Sequence, residues 1–316
     1  MNIPDTALSL RDIDLLFRPF VHRKIHLPTR LVLAPVAGQR SHAGVPADSM
    51  RLFYIRRATH EMGLIITEAA AVAPPPPDSG MPHFFGGAAL RVWKGIARVV
   101  QACGCRIAPL LTHCGQNVAG MSAADIRAAV QSFAQAAAHA RILGFDAVVI
   151  DGTMPGLLGQ FLNAEQNHRH DEYGGDQEAR LRLPCTVLHA VRKAVGRRFP
   201  VVFRLEQRGV ETPAVLETLL QHLCEAGVDI FDCADSGLHL PAFHGSPLGF
   251  ASWVRMLSQR PVIAELAGGM QADFLSRLAQ SLLTREFELV AVGRALQADA
   301  DWGHKVRLGR EGTILP

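Results

Sequence analysis

The sequence predicts an α/β fold, a (β/α)8 TIM barrel in a single domain over residues 1–316, and three observations carry that prediction. The chain has 316 residues of which 48% are hydrophobic, enough for one large core of the size that α/β barrels reach as one unit. Eight short runs rich in Val, Ile and Leu alternate with helix-like stretches, as expected for buried parallel strands separated by amphipathic helices. Helix-start signals fall between the runs where such a barrel needs them. A doubly wound α/β sheet is the alternative reading of the same alternation.

The elements follow in order. Leu31–Ala34 is the first apolar run and Leu64–Ala69 the second. Pro74–Pro77 comes next; four prolines continue neither sheet nor helix, so this is an extended loop on the face where barrel sites lie, shaping an entrance or simply stiffening the surface. After the third run, Ile107–Leu111, Ser122 stands three residues before Asp125 at the head of an Ala-rich stretch, the spacing of a capping box. The fourth and fifth runs are Ala147–Asp151 and Val201–Leu205, the latter followed by Thr212-Pro213 in cap-then-proline order. Asp229–Cys233, Pro261–Leu266 and Leu289–Gly293 complete the eight.

Charge and cysteine usage narrow the function classes. The 32 basic and 29 acidic residues give a net charge of +3 without a block of one sign, so no electrostatic footprint for nucleic acid is expected. No stretch approaches the roughly 18 apolar residues of a membrane span, and Asp5, Arg11 and Asp12 interrupt any apolar leader, so a soluble, cytoplasmic protein is expected. The six cysteines lack paired C-x-x-C spacing; no metal site is expected, and most should be buried thiols.

Asp151 to Gly175 reads DGTMPGLLGQFLNAEQNHRHDEYGG. Its second half resembles the loop after the fourth barrel strand of the Old Yellow Enzyme family of NADH:flavin oxidoreductases, through Gln160, Phe161, Leu162, Asn167, Arg169, Asp171, Tyr173, Gly174 and Gly175. Other motifs coincide in order: Leu16-Phe17-Arg18-Pro19, Leu31 to Pro35, Gly63 to Ala69, His113-x-Gly115, Phe203-Arg204-Leu205, and Leu289 to Leu296 followed by Asp299, Trp302 and Lys305. The match runs from about Leu16 to Gly312. Pro82-His83-Phe84 and Phe243-His244-Gly245-Ser246 are similar to a bacterial branch related to 12-oxophytodienoate reductases.

The resemblance implies FMN as cofactor and NAD(P)H as reductant. A basic group is needed at the edge of the flavin ring where charge accumulates, and Arg204 supplies it. Backbone donors for the phosphate come from Gly268, Gly269, Gly293 and Arg294 after the last two strands. Pro35 and Ala69 complete the candidate cofactor-binding set. Leu110 stands where the family offers a glutamine to the ring, Val36-Ala37 replace a usually polar pair, and Leu266 stands where a glycine usually ends strand seven.

The substrate side is rewritten. The family's H-G-x-H/N-G-Y, two donors for a substrate carbonyl and a tyrosine that protonates, becomes Asp151, Met154 and Gly156. An ionised Asp151 cannot donate and opposes a developing enolate, but suits an amine-bearing substrate or a general-base role; the structural alternative is an aspartate that caps a helix or satisfies backbone N–H groups before Gly152. His113 at a strand end, and His239 or His244 after strand six, are further candidates, each with a structural or loop reading beside it. Met154 is expected to fill a pocket wall. Asp171, Tyr173, Gly174 and Gly175 read as a scaffold turn, with both glycines at φ > 0. The leading expectation is therefore an FMN-dependent enzyme passing hydride from NAD(P)H to a small organic substrate. The alternatives are a redox-neutral isomerase or lyase using Asp151 as base, and a catalytically inactive paralogue. A homo-oligomer is compatible with each of the three.

Overall fold

A computed structural model describes residues 13–23, 25–38, 40–77, 79–115, 118–234, 240–265 and 274–315. Eight parallel strands close into a barrel: β1 (Leu31–Leu33), β2 (Leu64–Ala71), β3 (Arg106–Thr112), β4 (Val148–Asp151), β5 (Val201–Leu205), β6 (Ile230–Cys233), β7 (Val262–Glu265) and β8 (Leu289–Val292). Each strand pairs with the next in sequence and β8 returns to β1. This is the (β/α)8 barrel that the alternation predicts, and the doubly wound alternative is excluded by closure.

Ten helices of the described residues cover or connect the strands: α1 (Asp48–Ala58), α2 (Gly87–Ala102), α3 (Ala123–Leu143), α4 (Leu157–Leu162), α5 (Gln177–Val195), α6 (Pro213–Glu225), α7 (Phe250–Ser258), α8 (Phe274–Leu283), α9 (Arg294–Ala298) and α10 (Trp302–Arg307). The predicted caps form. Ser122 Oγ accepts from the Asp125 N–H while Asp125 Oδ2 accepts from the Ser122 N–H, and Thr212 Oγ1 accepts from the Val215 N–H ahead of α6.

Alternation along the strands builds two cores. Val32, Leu64, Ile66, Ala108, Leu110, Val149, Val202, Ile230, Ile263 and Leu289 point into the barrel, where Phe20, Ile25 and Leu27 join them from a hairpin (Phe20–His22 with Ile25–Leu27). The hairpin lies at the strands' N-terminal end, since its His26 carbonyl accepts from Arg106 at the start of β3. Outward-facing residues such as Leu33, Ile107, Ile150 and Phe203 pack against Trp93, Phe133, Leu188 and other helix residues. Period-two burial on both faces explains why the strands read as continuous apolar runs.

Two expectations need correction. Only Gly175 has positive φ, at 93°; Gly174 is required by close approach, because a Cβ there would lie 2.3 Å from the Arg169 carbonyl oxygen. The cysteines are less buried than expected: Cys105 and Cys233 are buried, Cys103 is exposed and the other three are intermediate.

Candidate active site

One step beyond the apolar layer, the inward positions become charged. Val149 is followed by Asp151, Val202 by Arg204, Ile230 by Asp232 and Ile263 by Glu265, each two residues on along its strand. Registry sets them side by side: Asp151 is level with Arg204, and Arg204 with Asp232. Sequence reasoning found the first two and missed Asp232 and Glu265. The signal was present, as a lone acid at the inward phase at the end of each run.

Arg204 is 8% exposed. Its Nη1 donates to Asp232 Oδ2 at 2.6 Å and its Nη2 to Glu265 Oε2. Burial opposes its charge, but the two carboxylates outweigh that and keep the guanidinium protonated. Asp232, with 0% exposure, is driven up to about 6 by burial, against the pull of Arg204 and with Glu265 adding to the rise.

Asp151 is 7% exposed. Its Oδ1 accepts from the Thr153 N–H at 3.1 Å and from Thr153 Oγ1 at 2.7 Å, so the backbone-satisfying reading holds for one oxygen. Glu206, just after β5, accepts from the Met154 N–H at 2.7 Å, and Met154 is half-buried. Beside β4, Thr112 ends β3 and is 4% exposed.

On the β2 side the ladder shifts register between Ile66 and Ala69. Thr67 Oγ1 takes up the Leu110 N–H that the shift leaves over, and Glu68 Oε2 accepts from the Gly38 N–H. Such bulges re-aim side chains near sites. Burial raises the Glu68 carboxyl, offset in part by Gly38 and Arg40. Pro35 and Ala69 are half-buried at this end of the barrel, while Leu110 is buried in the interior. Gly293 is buried, and Arg294 is exposed as the first residue of α9.

His113 lies just past β3, half-buried, its pKa lowered by burial, with Nδ1 unpartnered among the described residues. With Cys114, Met121, Asp125 and Pro74–Pro77 it lines a cavity of about 550 Å³, so the proline run roofs a space beside the mouth. His244 is exposed in the loop before α7. His239, Gly268, Gly269 and Leu266 lie outside the described residues. Asp171 binds the Arg169 guanidinium and the Tyr173 N–H, the scaffold role expected of it.

The residues present fit a bound flavin on one structural ground. Arg40 Nη1, Glu68 Oε1, His113 Nδ1 and Asp232 Oδ1 are all buried without hydrogen-bond partners in the described structure, Arg40 Nη1 having only an ion-pair contact with Glu68 Oε2 at 4.0 Å, and all belong to the C-terminal ends of strands or the loops after them. Buried polar atoms are rarely left unsatisfied; five others lie elsewhere in the described structure, but these four share one face around a cation, where a ligand can supply the partners.

A parallel barrel with a buried arginine and polar strand ends at its C-terminal mouth defines the class of barrel enzyme. The family model of the NADH:flavin oxidoreductase / NADH oxidase family matches residues 15–119 and 111–312, and the chain belongs to that family. It is an oxidoreductase of the Old Yellow Enzyme type, with FMN as cofactor and NAD(P)H as reductant. The chain is 29% identical to an NADPH dehydrogenase of Bacillus licheniformis, covering 91% of this chain and 92% of that one. It is 25% identical to an NADH oxidase of Thermoanaerobacter brockii, over 90% of this chain and 49% of the relative. Morphinone reductase in complex with tetrahydroNAD superposes with a TM-score of 0.80 at 25% identity, covering 93% of this chain and 91% of that one. An old yellow enzyme homologue from Zymomonas mobilis shares the fold, with a TM-score of 0.79 at 22% identity and 95% and 94% coverage. Among the described residues no helix is long and apolar enough to cross a membrane, and no group of three or more ligating side chains is placed to hold a metal.

Proposed function

We propose that the protein accepts hydride from NAD(P)H and delivers it to a small organic substrate at the C-terminal mouth of the barrel. The pocket differs from the family's usual carbonyl-holding one. The observation that carries this reading is Arg204, a buried and permanently charged guanidinium in the first polar layer above the apolar interior.

FMN, when bound, supplies the two-electron hydride chemistry. Arg204 would stand by the electron-rich edge of its ring, Pro35 and Ala69 would bound the ring, and Gly293 with Arg294 would contribute to the phosphate site; Gly268 and Gly269 are proposed for the same role from sequence alone. The chain's own groups then limit what substrate is accepted. Asp151 has no proton to give while ionised, and Gly156 has no side chain, so neither holds a carbonyl oxygen nor protonates a carbon. His113 is kept neutral by burial, which leaves it able to donate one hydrogen bond without adding charge.

The test is FMN titration of the purified protein, followed by fluorescence and visible absorption. Submicromolar binding or a retained flavin spectrum is expected, and Arg204→Ala should weaken FMN binding by about tenfold or more, the loss of a charge-assisted contact. Unchanged affinity in Arg204→Ala would remove the basis of this reading.

A further inference from the structure

The structure assigns a substrate class to this mouth: we propose that Asp151 Oδ2, with Thr112 Oγ1 beside it, binds the protonated nitrogen of an amine-bearing substrate. The proposal rests on the functional reading above, since it places that substrate where the proposed function needs one.

Four observations converge. First, Asp151 is more than nine-tenths buried, and its two oxygens are differently used. Thr153 saturates Oδ1 through its N–H and hydroxyl, which fixes the carboxylate plane, while Oδ2 has no hydrogen-bond partner among the described residues. Second, the cation that registry places next to it is already committed. Arg204 is level with Asp151 on the neighbouring strand, yet both of its terminal nitrogens go to Asp232 and Glu265. Among the described residues Asp151 has no ion pair, and a buried carboxylate without one is costly.

Third, Oδ2 and Thr112 Oγ1 face the side of Gly156 that carries no side chain. A Cβ at residue 156 would lie 3.0 Å from the Thr153 carbonyl oxygen, 3.1 Å from Thr112 Oγ1 and 3.3 Å from Asp151 Oδ2. Both side-chain oxygens therefore flank the direction in which a side chain would project, and a donor approaching from that side meets them together. Thr112 Oγ1, like Oδ2, has no partner among the described residues. Fourth, the surroundings favour positive charge. Arg204 with Asp232 and Glu265 carries a formal charge of −1 when all three are ionised, Glu206 stands nearby on the Met154 N–H, and His113 is neutral. An anion would meet acceptors and like charge here, whereas an ammonium N–H donates to two oxygens with charge assistance.

The experiment is calorimetric binding to the purified flavin-containing protein at pH 7, using benzylammonium, its uncharged analogue benzyl alcohol, and benzoate. Benzylammonium is expected to bind about tenfold or more tightly than either of the others. Asp151→Asn, which keeps an acceptor for Thr153, should reduce benzylammonium to the level of benzyl alcohol and leave benzyl alcohol unchanged. Gly156→Ala keeps the carboxylate and sets a methyl group against both oxygens, and should also weaken benzylammonium selectively. It carries the test if the asparagine variant does not fold. Equal binding of the three probes by the wild type, or an undiminished ammonium preference in either variant, overturns the proposal. The flavin spectrum, recorded on the same samples, separates the two readings. Ammonium preference in a protein that binds no FMN sinks the proposed function and leaves this site standing; FMN binding without ammonium preference does the reverse.

Discussion

At the scale of single residues, the barrel mouth is governed by how one guanidinium is shared. Asp232 is fully buried beside Arg204 and burial raises its carboxyl from 3.8 to about 6. Because the folded value lies above the unfolded one, the stability contributed by this group is fully present below about 3.8 and is lost as pH rises through about 6. Protonation in that window also leaves Arg204 facing one carboxylate in place of two, which strengthens its attraction for an electron-rich ring edge. FMN affinity is therefore expected to be higher at pH 5.5 than at pH 7.5, while Asp232→Asn should show a flatter profile and tighter binding at the upper pH. Fluorescence titration of both proteins across that range checks this, and parallel profiles would show that Asp232 does not modulate the attraction of Arg204 for the flavin.

At the scale of elements, the long helix α3 shows how local sequence fixes a boundary. Ser122 and Asp125 satisfy each other's backbone N–H groups, and Gly144 ends the helix in the left-handed region at φ 90°. Ser122→Ala should cost about 1 kcal/mol, the usual worth of an N-cap, seen as a lower thermal midpoint with no change in FMN affinity. Signals of this kind are why the eight strands and the capped helices were legible: each rests on a run or cap contained within a few residues. What was not legible depends on distant partners. The hairpin Phe20–His22 with Ile25–Leu27 has strands too short to show a period, and forms because the barrel's open end needs a cover. Pro184 lies inside α5, where a missing N–H ordinarily argues for a helix end; its burial against the core offsets that loss. The site divides in the same way. Asp151 and Arg204 were found because they end recognisable strands, whereas Asp232 and Glu265 become interpretable only when registry sets them against Arg204.

At the scale of the whole molecule, the barrel separates stability from chemistry along its axis. Phe20, Ile25 and Leu27 seal the N-terminal end against the apolar interior, and Arg23 and Arg192 both pair with the buried Asp229 at that end. The apolar layer from Val32 round to Leu289 then stands between this plug and the polar layer of Asp151, Arg204, Asp232 and Glu265. A close-packed interior resists collapse into a vacancy, so damage at the plug is expected to appear as lost folding energy and not as a displaced site. Ile25, 2% exposed, tests this. Ile25→Ala removes buried methyl groups from the plug and should destabilise by about 2–5 kcal/mol, measured from the denaturant midpoint at unchanged slope. At a temperature where the variant remains folded, its FMN affinity should equal that of the wild type, because the apolar layer stands between the altered side chain and the polar layer. Weaker FMN binding by the folded variant would mean that the apolar layer transmits strain from one end of the barrel to the other, and the two ends would then have to be treated as one coupled unit.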